Sequence, residues 1–189
     1  LYVDQVPYME KSAFDFDFYD VERIEVLRGP QGTLYGRNTM GGIILLKTRS
    51  PFDAPGLVLR TSVGKFGLYD ANVGWYDSHN TRFGYAVSVN YKHRDGYYRN
   101  QYLNAKVDEL DSWGARNKLI WNIKPTLTIE NIASFENSEQ GGYPYAVYDA
   151  ATKKTLPINS DRYGFQNKKF FWNAFFLRWH NKNFGWVQN

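Results

Sequence analysis

The stretch "RFGYAVSVNYKHR", Arg82 to Arg94, repeats with a period of two. Phe83, Tyr85, Val87, Val89, Tyr91 and His93 fall on one side, and Arg82, Gly84, Ala86, Ser88, Asn90, Lys92 and Arg94 on the other. Successive side chains of a strand point to opposite faces, so one face is apolar and the other polar or small. Along the apolar face, aromatics stand at the ends and valines in the middle. Phe83 to Tyr91 covers about 26 Å of strand, which a tilt of about 40° shortens to roughly 20 Å, close to the apolar band and aromatic girdles of an outer-membrane barrel. A half-buried strand of a soluble sandwich explains the alternation but not the aromatic–aliphatic–aromatic order.

Other segments carry the same pattern. Tyr69, Ala71, Val73 and Trp75 oppose Asp70, Asn72, Gly74 and Tyr76. Trp113, Ala115, Leu119, Trp121 and Ile123 oppose Gly114, Arg116, Lys118 and Asn122, with Asn117 interrupting the apolar side. Leu57, Leu59, Thr61 and Val63 oppose Arg60 and Ser62. "LTIENIASFEN", Leu127 to Asn137, is weaker, because Asn131 falls on its apolar side. "KFFWNAFFLRWH", Lys169 to His180, is aromatic on both faces and cannot be oriented by pattern.

Composition agrees with strands rather than helices as the membrane-crossing element. The chain has 15 Tyr, 13 Phe and 6 Trp, and its longest aliphatic run is Ile43 to Leu46. Nothing approaches the roughly 20 apolar residues of a membrane helix. The absence of cysteine removes disulfides and thiolate metal sites. The net charge of +4 is spread without a clustered basic patch, so the sequence points to no nucleic-acid partner. Leu1 is not a methionine and "FGWVQN" stops in mid-pattern, so both ends are expected to be cut from a longer chain.

The links between segments alternate in length. "DSHNT" (Asp77 to Thr81) and "KPT" (Lys124 to Thr126) are short; Gly96 to Ser112 and Ser138 to Lys168 are long and polar. Short turns at one end and long loops at the other are the signature of an antiparallel membrane barrel. About six strands are visible, and an open sheet of that size with a lipid-facing side leaves unpaired edges, so a larger closed sheet is expected.

Before residue 51 the pattern changes. "LRGPQGTLYGRNTMGG", Leu27 to Gly42, holds five glycines and a proline between the apolar runs "VERIEV" and "IILL". Arg23 to Gly29 and Gly41 to Arg49 read as short strands, and "PQGTLYG" as a helical turn with Pro30 near its start. The glycines read as packing devices in a compact βαβ-like or hairpin unit, since glycine permits positive φ and close backbone approach. A phosphate loop is excluded because Gly36 is followed by Arg37 and Asn38 rather than Lys-Ser/Thr, and the dinucleotide spacing G-x-G-x-x-G is absent. "SPFDAPG", Ser50 to Gly56, reads as a linker. The domain reading is therefore residues 1–50, a linker at 51–56, and strands from 57 to 189.

"YVDQVPY" followed by "DVERIEVLRGPQGTLYGRNTMGGIILLKTRSP" closely resembles the end of the plug domain of TonB-dependent outer-membrane receptors. "HRDGYYRN", His93 to Asn100, resembles the start of an early extracellular loop in that family. The resemblance implies a mainly β fold: part of a small α/β plug, then the first strands of a transmembrane antiparallel β-barrel of 22. It implies a ligand-gated importer in the outer membrane of a Gram-negative bacterium, with outer-membrane lipid around it. The partners would be a scarce small-molecule or metal-chelate ligand, such as an iron–siderophore complex, and the inner-membrane TonB complex, whose contact segment is missing here. The motif residues are Arg23, Glu25, Arg28, Gly29, Pro30, Gly32, Tyr35, Gly36, Arg37, Gly41 and Gly42. Within the motif, Arg28 and Arg37 are expected to pair with barrel carboxylates on later strands.

On the polar row, Arg60, Asp70, Arg82, Lys92, Arg94, Arg116 and Lys118 are expected to face the plug or water. In "EQGGYPYAVYD", Glu139 to Asp149, the residues Tyr143, Tyr145 and Tyr148 are candidates to stack on a ligand ring or sugar. Catalysis finds no support: His79, His93 and His180 are scattered, "DFDFYD" (Asp15 to Asp20) lacks the glycine and terminal Glu of a calcium loop, and Glu130 and Glu136 form no recognisable acid pair. Neither a resident cofactor nor a metal is expected. The rival classes are a passive porin or structural barrel, against which the plug motif argues, and a soluble carbohydrate-binding sheet.

Overall fold

In the computed structural model the described residues are 1–8, 19–36, 39–53, 55–142, 145–181 and 184–188. They form two main sheets that meet face to face, and two small two-stranded ones.

The first sheet comprises β1 (Tyr2–Val3), β2 (Val6–Pro7), β3 (Val21–Arg28) and β4 (Gly42–Thr48), in the order β2-β1-β4-β3. A tight turn with positive φ at Asp4 and Gln5 joins β1 to β2. Between β3 and β4 lies the single helical turn α1 (Gly32–Tyr35). β3 and β4 are antiparallel, so the unit is a hairpin carrying a helical turn rather than a βαβ crossover. The two strands come closest at Gly42, where β4 begins beside the end of β3. The φ of Gly42 is +129°, and a Cβ there would lie 2.5 Å from the Leu27 carbonyl oxygen. Backbone therefore occupies the space any other side chain needs.

The second sheet comprises β5 (Gly56–Gly64), β6 (Leu68–His79), β7 (Phe83–Arg94), β10 (Leu110–Lys124), β11 (Leu127–Gly141), β14 (Phe165–Asn181) and β15 (Phe184–Gln188). Every neighbouring pair is antiparallel, in the order β15-β14-β11-β10-β7-β6-β5. The six strands expected are the long ones; β15 adds a short seventh at one edge. The long links carry small hairpins of their own: β8 (Tyr98–Asn100) with β9 (Ala105–Val107), and β12 (Tyr148–Asp149) with β13 (Lys154–Thr155). Both long links leave from one end, where the Asp95 amide donates to the Phe66 carbonyl at 2.8 Å and the Gly141 amide to the Glu109 carbonyl at 2.8 Å. At the other end the short turns are tied by Asn122 N–H to Arg82 O (2.7 Å) and His180 N–H to Thr126 O (3.0 Å).

The two faces of this wall differ as the alternation requires. Phe83, Val87 and Tyr91 are 38%, 48% and 47% exposed, while Ala86, Ser88 and Asn90 between them are buried. Tyr69, Val73, Trp75, Trp113, Leu119 and Trp121 are exposed on the same outward side. β14 resolves as well: Phe171, Phe175 and Trp179 point outward, while Phe176 is buried and Phe170 and Trp172 pack against the first sheet. No helix among the described residues is long and apolar enough to cross a membrane.

The segment joining the sheets is seated on the wall. Pro51 is fully buried, and a Cβ at Gly84 would lie 2.8 Å from its Cγ and 2.9 Å from Phe52 Cζ. Gly84 thus makes the hollow that receives the joining segment.

Candidate functional site

Among the described residues, the two most deeply buried ion pairs lie at the seam between the two sheets. Asp20, just before β3, ion-pairs with Arg116 on β10, and its other oxygen accepts from Ser88 Oγ on β7 at 3.1 Å. The Arg116 guanidinium also lies 5.2 Å from the centre of the Tyr19 ring. Below this, Asp4 in the β1–β2 turn ion-pairs with Lys118 Nζ at 3.0 Å and accepts from the Thr48 amide (2.9 Å) and hydroxyl (2.6 Å). Arg116 and Lys118 are two apart on one strand, so both point inward together.

An apolar contact completes the seam. Val3, Tyr8 and Leu46 form a buried cluster against Phe170 and Trp172 of β14. Trp172 Nε1–H donates to the Tyr8 hydroxyl. Burial pushes the Tyr8 and Tyr19 hydroxyls up from the ordinary phenol range, so both stay protonated at physiological pH. Arg60 on β5 reaches the Tyr19 carbonyl at 3.4 Å, and the Arg49 guanidinium sits 5.4 Å from the Tyr76 ring centre on β6. A cleft of about 410 Å³ remains between the sheets, bordered by Glu25, Lys47, Lys118, Glu130 and Arg178 among others.

The glycine-rich motif lies mostly away from this seam. Arg23 pairs with its neighbour Glu25 at 2.6 Å on an exposed surface. Arg28 is exposed, and Pro30 leads into α1 at Gly32. Gly29 and Gly36 take positive φ, whereas Gly41 does not. Tyr35 receives the Tyr2 hydroxyl on its carbonyl at 2.6 Å. Arg37 lies outside the described residues. Among the described residues, then, the ion pairs across the seam run from acids on the first sheet to bases on the wall, the reverse of the polarity expected from Arg28 and Arg37. Asp4 and Asp20 were not singled out by sequence reasoning as partners of the wall; Asp20 entered only as the end of "DFDFYD", of which residues 15–18 lie outside the described residues. The available signal was the pair Arg116 and Lys118 on an inward row, which require counter-charges.

At the far end the two long links are fastened to each other. Asn100 is fully buried; its Nδ2 donates to the Ser160 carbonyl at 2.9 Å, and its Oδ1 accepts from the Tyr102 amide at 3.0 Å. The Gln101 amide donates to the Ile158 carbonyl at 2.8 Å. A cavity of about 350 Å³ lies between the links, with Tyr145 and Arg162 on its border. Tyr145 and Tyr148 are strongly exposed. Tyr143 lies outside the described residues.

Residues 1–43 match the family model described as the TonB-dependent receptor plug domain. The pesticin receptor of Yersinia pestis is 34% identical over 112 residues, 59% of this chain and 14% of its own length. The ferrioxamine B receptor of Salmonella typhimurium is 50% identical over 48 residues, 25% of this chain and 7% of its own. These matches support a fragment of a TonB-dependent receptor. The ferric yersiniabactin uptake receptor of Yersinia pestis superposes with a TM-score of 0.78 at 21% identity, over 96% of this chain and 29% of the other. At that identity the likeness is one of fold: plug sheet against barrel wall. These relatives are receptors, not enzymes, and the chain spans only 14% of the length of the pesticin receptors.

Proposed function

We propose that this TonB-dependent receptor chain is part of a gated importer in the outer membrane of a Gram-negative bacterium. It carries a scarce solute, an iron–siderophore complex or similar metal chelate. In this reading residues 1–50 close the plug, 51–56 cross to the wall, and 57–189 begin the barrel. The observation that carries it is the seam: a wall with an apolar outer face is held from inside by Asp20–Arg116, Asp4–Lys118 and Tyr8–Trp172. An open pore needs no such insert. A wide barrel does, because its lumen would otherwise pass water and small solutes freely.

A plug so fastened must be released or remodelled for passage, and the buried ion pairs resist spontaneous release. External work is therefore needed, and the TonB complex of the inner membrane supplies it. The printed names of the relatives support the solute class, since they concern pesticin, ferrioxamine B and ferric yersiniabactin. Tyr145 and Tyr148 take a role in first contact with the ligand. The motif from Arg23 to Gly42 shapes the plug hairpin, and Arg28 and Arg37 pair with carboxylates of further wall strands.

The test is uptake of radiolabelled ferric siderophores by the full-length receptor, in cells with and without TonB. Uptake is expected only in the former. Equal uptake in both would contradict gated import and favour a passive barrel.

A further inference from the structure

The two long outer links, residues 96–109 and 142–164, stand on narrow feet. A Cβ on Gly96 would lie 2.0 Å from the Val107 carbonyl oxygen, and one on Gly142 would lie 2.6 Å from the Gly164 Cα. The Gly142 amide donates to the Gly164 carbonyl at 2.5 Å. A loop closed at its base is held in place by what it touches above that base. Among the described residues, two hydrogen bonds join one link to the other above the feet. Asn100 Nδ2–H donates to the Ser160 carbonyl at 2.9 Å, and Gln101 N–H to the Ile158 carbonyl at 2.8 Å. The same contact pairs Asn100 with Ile158 in an isolated parallel bridge.

Asn100 serves both links at once. It is buried, as a polar side chain is only where its hydrogen bonds are met. Its Oδ1 accepts from the Tyr102 amide at 3.0 Å and the Leu103 amide at 3.4 Å, which shapes the turn between β8 and β9. Its Nδ2 leaves that hairpin and grips the facing link. The links do not fill the space between them. The cavity of about 350 Å³ stays open there, with the buried Asn100, Val107 and Ile158 in its lining and the exposed Tyr145 and Arg162 at its border. A ring and a guanidinium suit a chelate that carries aromatic groups and anionic oxygens.

We propose that Asn100 is a positioning residue for ligand capture. By tying the two links into one body, it fixes the cavity that Tyr145 and Arg162 border before the ligand arrives. A mouth already formed spares the ligand the cost of ordering two separate loops. Asn100 itself needs no contact with the ligand, since it acts through the residues it holds in place. The proposal rests on the reading of Tyr145 and Tyr148 as first contacts.

The test uses detergent-solubilised full-length receptor, with ferrioxamine B and ferric yersiniabactin as ligands. Asn100→Asp keeps an acceptor for the Tyr102 and Leu103 amides but sets an oxygen, in place of the donor, against the Ser160 carbonyl. Nitroxide labels at Tyr102→Cys and Ala151→Cys, one in each link, are expected to give a narrow distance distribution without Asn100→Asp and a broad one with it. The Kd is expected to rise about tenfold with Asn100→Asp. It is expected to return when Gln101→Cys/Asn159→Cys, one step along from the Asn100–Ile158 bridge, are joined by a short bis-maleimide. An unchanged distribution, an unchanged Kd, or a Kd that the tether fails to restore would overturn the proposal alone, provided that Tyr145→Ala/Tyr148→Ala still weakens binding. Normal binding by that tyrosine variant, or a wild type that binds neither chelate, would overturn the reading of the outer links as the ligand's first contact, and this proposal with it.

Discussion

Asp20 and Arg116 stand 96 residues apart in the chain and form an ion pair whose side chains are 5% and 1% exposed. Neither lies in a segment that could place it near the other by local structure. Their meeting requires the plug sheet to be docked on the wall, so the pair reports docking directly. Asp20 also accepts from Ser88 on the adjacent strand, which ties it to β7 and β10 at once.

Removing one partner leaves a charge buried without compensation. Arg116→Met is expected to destabilise plug docking by about 3–5 kcal/mol, and combining it with Asp20→Asn to restore most of that loss. Denaturant unfolding of the detergent-solubilised full-length receptor, run as a double-mutant cycle, checks this. Additive effects would mean that the two side chains do not interact.

The plug hairpin offers a backbone test. Gly42→Ala combines a φ of +129° with a Cβ placed 2.5 Å from the Leu27 oxygen, whereas Gly41→Ala meets nothing within 4 Å. The first is expected to cost at least about 1–3 kcal/mol and the second to be well tolerated. Limited proteolysis of the plug segment in intact receptor separates them. Equal protease resistance would remove the close-approach argument.

For the outer links, the double variant Tyr145→Ala/Tyr148→Ala is expected to weaken ligand binding by about 1–3 kcal/mol with the barrel unchanged, if these rings stack on the ligand. Titration of ferric siderophore against wild type and variant measures it. Unchanged affinity would leave these tyrosines as loop packing only.

The alternating strands were legible because burial on one side of a sheet imposes a period of two, and Arg82 to Arg94 shows it with almost no exception. The strand from Lys169 to His180 was not legible, for a physical reason: Phe170 and Trp172 meet Val3 and Tyr8 of the plug, so both faces of that strand are apolar for different neighbours. Pattern reads apolar against polar; it does not read lipid against protein. Asp4 and Asp20 escaped because an ion pair between distant segments leaves no local trace.

The central claim is that the row of Phe83, Val87 and Tyr91 lies against hydrocarbon while the row between them surrounds the plug. Nitroxide labels at Val87→Cys and Ala86→Cys in full-length receptor in lipid vesicles test it most directly. The account predicts strong relaxation by oxygen and little by a water-soluble nickel chelate at position 87, and low access to both at position 86. Ready access of the nickel chelate to position 87 would contradict it.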